Sequence, residues 1–332
     1  MSELLPWLMP LWARITPSIA SGRISHALLL SGPAGVGKAL FARLLARSLL
    51  CEKPQADGHA CGICNSCHLL NVGNHPDILS IEPEEDAKII SVDQIRALTG
   101  YTMLKPQHGR RRVTVIPQAH LMNTQSANSL LKNLEEPPPH GMFILVTDKL
   151  SALLPTVRSR CQRIDFAPPA LDAARAWLQI QPHMGDVDAA LGLANGAPLR
   201  ALQIMQDGVW LRRSALFEDF QRVVGGAQDP LISAEKWLKS GAMEVLIWLE
   251  SWLSDSVCCK LAQDAGRWRN PDMAGALTRM AEQVDARAVL QLLSKVQDAL
   301  RSLSTSINQQ LVLEDILIAC AELRARPAEN VR

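Results

Sequence analysis

The sequence predicts an α/β domain built on a parallel sheet, followed by an all-helical region. Between residues 26 and 167, short apolar runs alternate with segments of helical periodicity, the pattern of a parallel sheet with helices on both faces. After Pro168-Pro169 the apolar residues recur at helical spacing and no strand pattern is convincing. The chain has 332 residues, 48% of them hydrophobic, which is enough for two or three domains with buried cores.

Each element follows from these patterns. A helix and a polar turn are predicted within residues 1–25, and a run of three prolines ends the helix expected before residue 136. The predicted strands are 26–31, 77–82, 112–117, 142–147 and 162–166, and the helices between them are 37–50, 91–103, 123–135 and 150–155. We expect three domains, at residues 1–167, 168–207 and 208–332, the last two all-helical. The pair Trp248 and Trp252 is expected in a helical core rather than at an interface.

Charge and cysteine content restrict the classes of function. The net charge of +1 provides no overall field that attracts nucleic acid, so any such contact must be local. No apolar run approaches the roughly 18 residues of a membrane span. Glu3 and the early prolines argue against an export signal, so the eight cysteines point to reduced thiols or metal binding. These observations predict a cytoplasmic protein without a membrane contact.

A glycine-rich loop, GPAGVGKA at residues 32–39, follows the first strand and precedes a helix. In this context the amides near Gly32, Gly35 and Gly37 can surround a phosphate at the helix N-terminus, and Lys38 can reach the outer phosphates. The position where Ser or Thr would bind Mg²⁺ is Ala39. The loop therefore predicts a phosphate cradle for ATP or ADP without the usual metal ligand, and its occupancy stays open.

The other parts of an ATPase site are absent or ambiguous. P-loop ATPases place Asp and Glu after a second strand, for the metal and the attacking water, whereas here that strand ends in Pro117-Gln118. Hydrolysis by this chain is therefore not expected, although nucleotide binding is compatible with the loop. Thr147, at the end of another strand, is either a sensor of the γ-phosphate or part of an ordinary strand-end turn.

Four cysteines, Cys51, Cys61, Cys64 and Cys67, have the spacing of a metal site. Thiolates at this spacing can surround one ion, and four of them suit tetrahedral Zn²⁺ in a structural role. Unconnected core cysteines and an iron–sulfur cluster are the alternatives. His59 and His68 lie nearby but are expected at the surface.

Arginines near the end of the α/β region are candidate functional groups. Arg160, in Ser159-Arg160-Cys161, carries a permanent planar charge that can stabilise phosphoryl transfer in a neighbouring site, or it is a solvated cation at a strand end. Two basic clusters, 105 with 110–112 and 158 with 160 and 163, are candidate DNA contacts, and for the first the alternative is a solvated loop before a strand.

Taken together, five segments resemble the AAA+ clamp-loader family of bacterial DNA polymerase III. They are the glycine loop, the cysteine module that follows the first helix of the sheet region, residues 74–77 (NHPD), residues 127–138 (ANSLLKNLEEPP) and residues 159–161 (SRC). The resemblance implies a RecA-like AAA+ domain carrying a zinc module at 51–67, then an all-α lid domain and an all-α collar domain that closes a five-subunit ring.

The resemblance also implies a function. The chain is similar to the non-motor subunits of the family, which help to load the sliding clamp on primer–template DNA. Arg160 then acts in trans on the ATP site of a tau/gamma neighbour, with delta as a further partner. The chain is expected to be no enzyme alone but part of a DNA polymerase holoenzyme. The family's sensing arginine aligns with Leu199, next to Arg200. The alternatives are a working ATPase and a zinc-ribbon nucleic-acid-binding module.

Overall fold

The computed structural model describes residues 4–84, 87–182, 185–206, 209–262, 268–303 and 307–323. The chain divides into two compact units, residues 1–169 and 170–332. The boundary follows Pro169, the second residue of the Pro168-Pro169 pair. The first unit carries the sheet and the candidate sites, and the second is helical.

The first unit contains one parallel sheet of five strands in the order β2-β3-β4-β1-β5. All five strands lie at predicted positions, which confirms the predicted α/β class. All residues of β1 and β4 are buried, as expected for central strands covered on both faces. The strands are β1 (Ala27–Ser31), β2 (Ile78–Ser80), β3 (Arg112–Ile116), β4 (Gly141–Thr147) and β5 (Gln162–Asp165).

The described part of the first unit also contains six α-helices: α1 (Met9–Ala20), α2 (Lys38–Leu50), α3 (Asn65–Asn71), α4 (Val92–Met103), α5 (Thr124–Glu135) and α6 (Pro155–Arg158). Side chains begin two of them: Ser91 and Gln94 form a capping box at α4, and Asn123 caps α5. These caps explain why the predicted starts were close to the observed ones.

The predicted helix at 150–155 was wrong. Residues Leu150–Ala152 form a short 3-10 turn, and α6 begins only at Pro155. Proline suits the first turn of a helix and forces the preceding residue towards extended backbone, and Leu154 has ψ 138°. The proline therefore starts a helix where the sequence had suggested an end.

The second unit is helical, and no strand occurs in the parts of it that the structure describes. Trp252 packs in its core against Phe217 and Phe220, and Trp248 is also buried, which confirms that this tryptophan pair is core. The helices are α7 (Leu171–Gln179), α8 (Val187–Leu193), α9 (Pro198–Gln206), α10 (Val209–Val224), α11 (Pro230–Leu238), α12 (Ala242–Ala262), α13 (Ala274–Gln283), α14 (Ala286–Ser302) and α15 (Gln309–Ala321).

Among the described residues, no helix combines the length and the apolar character that a membrane crossing requires.

Candidate phosphate loop, metal centre and arginine finger

The glycine loop connects β1 to α2 and packs closely against the N-terminal segment of the chain and against Phe166. Gly37 caps the N-terminus of α2 with φ +100°, and a Cβ there would lie 2.7 Å from Leu5 Cδ1. A Cβ on Gly32 would lie 2.1 Å from the carbonyl oxygen of Phe166. Trp7 Nε1 donates a hydrogen bond to the Val36 oxygen at 3.0 Å. A larger residue at Gly32 would therefore require the backbone at Phe166 to move, and one at Gly37 would be strained by the positive φ and would displace leucine side chains.

Lys38, the first residue of α2, is bound within its own chain. Its Nζ lies 2.6 Å from Asp148 Oδ1 and donates to the Pro33 oxygen at 2.5 Å. Only 3% of the Lys38 side chain is exposed, whereas 38% of the Asp148 side chain is exposed. The Asp148 carboxylate is therefore paired with the Lys38 ammonium group, which would otherwise be the cation for a bound phosphate.

The strand end at Thr147 makes a compact turn beside this pair. Thr147 Oγ1 accepts a hydrogen bond from the Lys149 amide at 3.1 Å and lies 3.4 Å from His120 Nδ1. Burial lowers the pKa of His120. The predicted sensing role of Thr147 stays a prediction. The sequence analysis did not identify the pairing of Asp148 with Lys38, although the parallel neighbours β1 and β4 bring their ends together.

Ala39 and Pro117, the two positions that lack metal ligands, line one cavity of about 330 Å³. Val115 and Val146 form part of its apolar wall. The single carboxylate in the lining is that of Glu82, which accepts a hydrogen bond from Ser80. The place where P-loop ATPases hold Mg²⁺ is thus bordered by a methyl group and a proline ring.

The four cysteines converge on one point beside the C-terminal end of α2. Their Sγ atoms all lie within 4.8 Å of one another, and Cys51–Cys64 and Cys61–Cys67 are separated by 3.9 and 4.0 Å. A tetrahedral zinc ion with bonds of about 2.3 Å requires sulfur–sulfur distances of about 3.8 Å. The residues present therefore fit Zn²⁺, with all four positions filled by protein.

Local backbone supports the thiolates of this cluster. The amides of Cys61, Cys64 and Cys67 each donate to the Sγ of another cysteine, at 3.3 to 3.4 Å. Amide donors lower the pKa of Cys61 to about 6, whereas burial raises the pKa of Cys67 to about 12. A bound cation would offset the latter effect. His59 stacks on Trp12 at 4.6 Å and so takes part in a ring contact.

The NHPD segment joins the cysteine module to the sheet. Ser66, in α3, donates to the Leu50 oxygen and contacts His75 Nε2 at 2.6 Å, while His75 Nδ1 accepts from the Asp77 amide. The buried Asp77 carboxylate accepts hydrogen bonds from the amides of residues 107 and 108. Sequence reasoning used this segment only as a family signature and missed its structural role.

Arg160 lies just after α6 at the surface of the first unit. Its Nη2 lies 2.7 Å from Glu135 Oε1, and its Nη1 donates to the Thr156 oxygen at 3.0 Å and to Ser159 Oγ at 3.4 Å. The Arg160 side chain is 35% exposed. The guanidinium is therefore anchored at one side but open to solvent.

The basic residues that the sequence grouped together have different environments. Arg112 is buried: it donates to the Lys105 oxygen and lies 4.5 Å from the centre of the Tyr101 ring. Burial also lowers the pKa of the half-buried Arg111, and Arg163 pairs with Asp165. Arg112 thus serves the fold, and its charge does not belong to an exposed basic surface.

Leu199 and Arg200 lie in the second unit, in the first turn of α9. Arg200 Nη1 donates to Gln203 Oε1 at 3.1 Å, one turn along the same helix. The suggestion that this position has lost a nucleotide-sensing arginine stays a prediction.

The parallel sheet, with its glycine loop between β1 and α2, defines an α/β fold of the P-loop type. Family sequence models described as "DNA polymerase III, delta subunit" and "DNA polymerase III, delta subunit, C terminal" match residues 9–170 and 207–322. The chain belongs to the family of DNA polymerase III delta′ subunits. It is 34% identical to the Pseudomonas aeruginosa delta′ subunit, over 97% of this chain and 99% of that one.

Two further relatives define the limits of the similarity. The Escherichia coli DNA polymerase III subunit delta′ is 33% identical over 94% of each chain. The Mycobacterium tuberculosis subunit gamma/tau is 40% identical, but only over 46% of this chain and 26% of that relative. Similarity to gamma/tau thus covers less than half of this chain, whereas similarity to delta′ extends over nearly all of it.

Proposed function

We propose that this protein is a non-motor clamp-loader subunit that supplies Arg160 to the ATP site of a neighbouring gamma/tau subunit. The observation that carries the proposal is the exposure of the Arg160 guanidinium, which is held at the protein surface with one side open to solvent. In the assembled ring, that side would face a γ-phosphate bound by the neighbour. The proposed partners are gamma/tau, delta, the sliding clamp and primer–template DNA.

The chemistry of an arginine suits this role. Its guanidinium stays charged at all physiological pH values and presents its N–H donors in a rigid fork. Negative charge spreads over the γ-phosphoryl oxygens as the bond to the leaving group breaks, and a cation placed there in advance stabilises that charge. Arg160 would supply this stabilisation without taking part in covalent chemistry.

The chain's own loop is proposed to be inactive in hydrolysis. The Lys38 ammonium is paired with Asp148, and Ala39 and Pro117 supply no metal ligand. ATP or ADP binding without turnover remains compatible with the glycine loop. The cysteines would hold one structural Zn²⁺ that fixes the end of α2. We further propose that the subunit acts in the cytoplasm, as part of the polymerase holoenzyme.

Reconstitution with gamma/tau and delta subunits tests the proposal. Arg160→Ala should leave assembly intact and reduce ATP hydrolysis measured with clamp and primed DNA. Arg96→Ala is the matched control, because Arg96 is an exposed arginine of the same unit that pairs with Asp93. An assembled complex in which Arg160→Ala hydrolyses ATP at the normal rate would exclude the finger role.

The same experiment separates the alternative functions. A working ATPase predicts steady turnover by the isolated chain, abolished by Lys38→Ala. A zinc-ribbon nucleic-acid-binding module predicts tight DNA binding by the isolated chain that weakens steeply with salt. We expect neither behaviour.

A further inference from the structure

We propose that Glu135 is the positioning residue that holds Arg160 in place for the neighbouring ATP site. This inference rests on the proposed function of Arg160. Glu135 Oε1 lies 2.7 Å from Arg160 Nη2, and both side chains are partly exposed. Glu135 does not touch the nucleotide in this proposal; it acts through the guanidinium alone.

The position of Glu135 in its helix is the first argument. Glu135 is the last residue of α5, and Glu136 is its C-cap. Acidic side chains are disfavoured at a helix C-terminus, where the unpaired carbonyl groups carry partial negative charge. The Arg160 cation offsets this charge at Glu135. No such contact is described for Glu136, although it is the adjacent acid.

The rigidity of the platform is the second argument. Leu134 is buried, and its carbonyl oxygen lies 3.0 Å from Nε2 of His26, the residue just before β1. Asn133, also buried, donates to Thr99 Oγ1 in α4 at 2.9 Å. The last turn of α5 is therefore tied to the sheet and to a second helix. A carboxylate on this platform has a fixed location.

The donor pattern of Arg160 is the third argument. Nη1 is directed to two acceptors in its own turn, the Thr156 oxygen and Ser159 Oγ, while Nη2 faces Glu135. These contacts restrain a long side chain that would otherwise lose rotamer entropy when it becomes ordered. They leave Nε outside the described contacts and free to meet a phosphate oxygen. Preorganisation of this kind favours the transition state.

The test uses the complex reconstituted with gamma/tau and delta, with clamp and primed DNA, and four variants. They are Arg160→Ala, Glu135→Gln, the matched control Glu136→Gln, and the double variant of Arg160→Ala with Glu135→Gln. We expect Glu135→Gln to lower kcat by roughly two- to fivefold, the scale of an exposed ion pair, with the KM for ATP unchanged. Glu136→Gln should match the unaltered complex.

The double variant separates positioning from general stabilisation. If Glu135 acts through Arg160, Glu135→Gln causes no further loss once Arg160 is absent. An equal loss in both backgrounds overturns the inference, as does a normal or raised kcat for Glu135→Gln alone. When Arg160→Ala lowers hydrolysis but Glu135→Gln does not, only this inference fails. When Arg160→Ala has no effect, the proposed function fails as well.

Discussion

Lys38 and Arg160 are both cations paired with a carboxylate, at 2.6 and 2.7 Å, but their environments differ. The Lys38 side chain is 3% exposed and lies inside the glycine loop, whereas that of Arg160 is 35% exposed at the surface. In the first pair, the Lys38 ammonium is enclosed and contacts only groups of its own chain among the described residues. In the second pair, the Arg160 guanidinium stays accessible to another molecule.

The difference between the two pairs is the one that the proposed function requires. A buried ammonium group without a partner is unfavourable. The Asp148 carboxylate therefore compensates the charge of the buried Lys38 side chain when no phosphate is bound. An exposed ion pair contributes little to stability, and Arg160 Nε lies outside the described contacts, so a phosphate can bind the guanidinium while Glu135 stays paired. Under the proposed function, Lys38 serves the loop of its own chain and Arg160 serves a neighbouring subunit.

Removal of the metal should cause the largest loss of folding stability, because the cysteine cluster fixes the C-terminal end of the helix that begins at Lys38. α2 begins at Lys38 and is followed directly by Cys51. Zinc held at about 1,000 times its Kd would stabilise the folded chain by about 4 kcal/mol, and a chelator should remove that contribution. The measurements are metal analysis, expected to return about one zinc per chain, and urea unfolding with and without chelator.

Cysteine variants provide the control for this prediction. Cys64→Ser should lose the metal, whereas Cys258→Ser should keep it, because Cys258 lies outside the four-sulfur cluster. A folded protein without metal would contradict the zinc assignment, and iron in place of zinc would favour an iron–sulfur cluster.

Breaking the two ion pairs should have unequal effects on stability. Asp148→Ala leaves the buried Lys38 ammonium with the Pro33 oxygen as its described acceptor, so we expect a loss of about 1–3 kcal/mol. Arg160→Ala removes a partly exposed pair and should change stability by less than about 1 kcal/mol. Urea unfolding of the isolated chain measures both. Equal losses would remove the distinction between the two pairs.

The sequence predicted the elements of the first unit better than their contacts. The three central strands could be located because fully buried strands form short apolar runs bounded by turns, and the cysteine spacing indicated the four-sulfur cluster. The edge strands β2 and β5 lay at predicted positions although they are only partly buried. The pairing of Lys38 with Asp148 joins residues far apart in the chain. No local pattern reports such a contact, and only the parallel pairing of β1 with β4 brings these two segments together.

Two other features show why the rest was not predicted. Arg112 follows two arginines in the sequence and so suggested an exposed basic surface, but it begins β3 and turns inward onto Tyr101. Glu135 belonged to a family signature without an assigned role, because its partner Arg160 comes from a later turn of the chain. Composition describes the charge of such residues but not the direction of their side chains.

The smallest expected effect concerns pH and separates the two pairs once more. Burial lowers the pKa of His120, which lies near Lys38 and Asp148, and no imidazole is described at the Arg160 contact. As pH falls through about 6.5, the unfolded imidazole takes up a proton more readily than the folded one, so stability decreases. From about pH 7.5 to about pH 5.5, His120→Asn should therefore lose less stability than the unaltered chain, by less than about 1 kcal/mol. His140→Asn, at an exposed histidine, is the control, and urea unfolding at both pH values is the measurement. If His120→Asn and the unaltered chain lose the same stability as the pH falls, then burial near Lys38 does not disfavour a protonated His120, and the prediction is wrong.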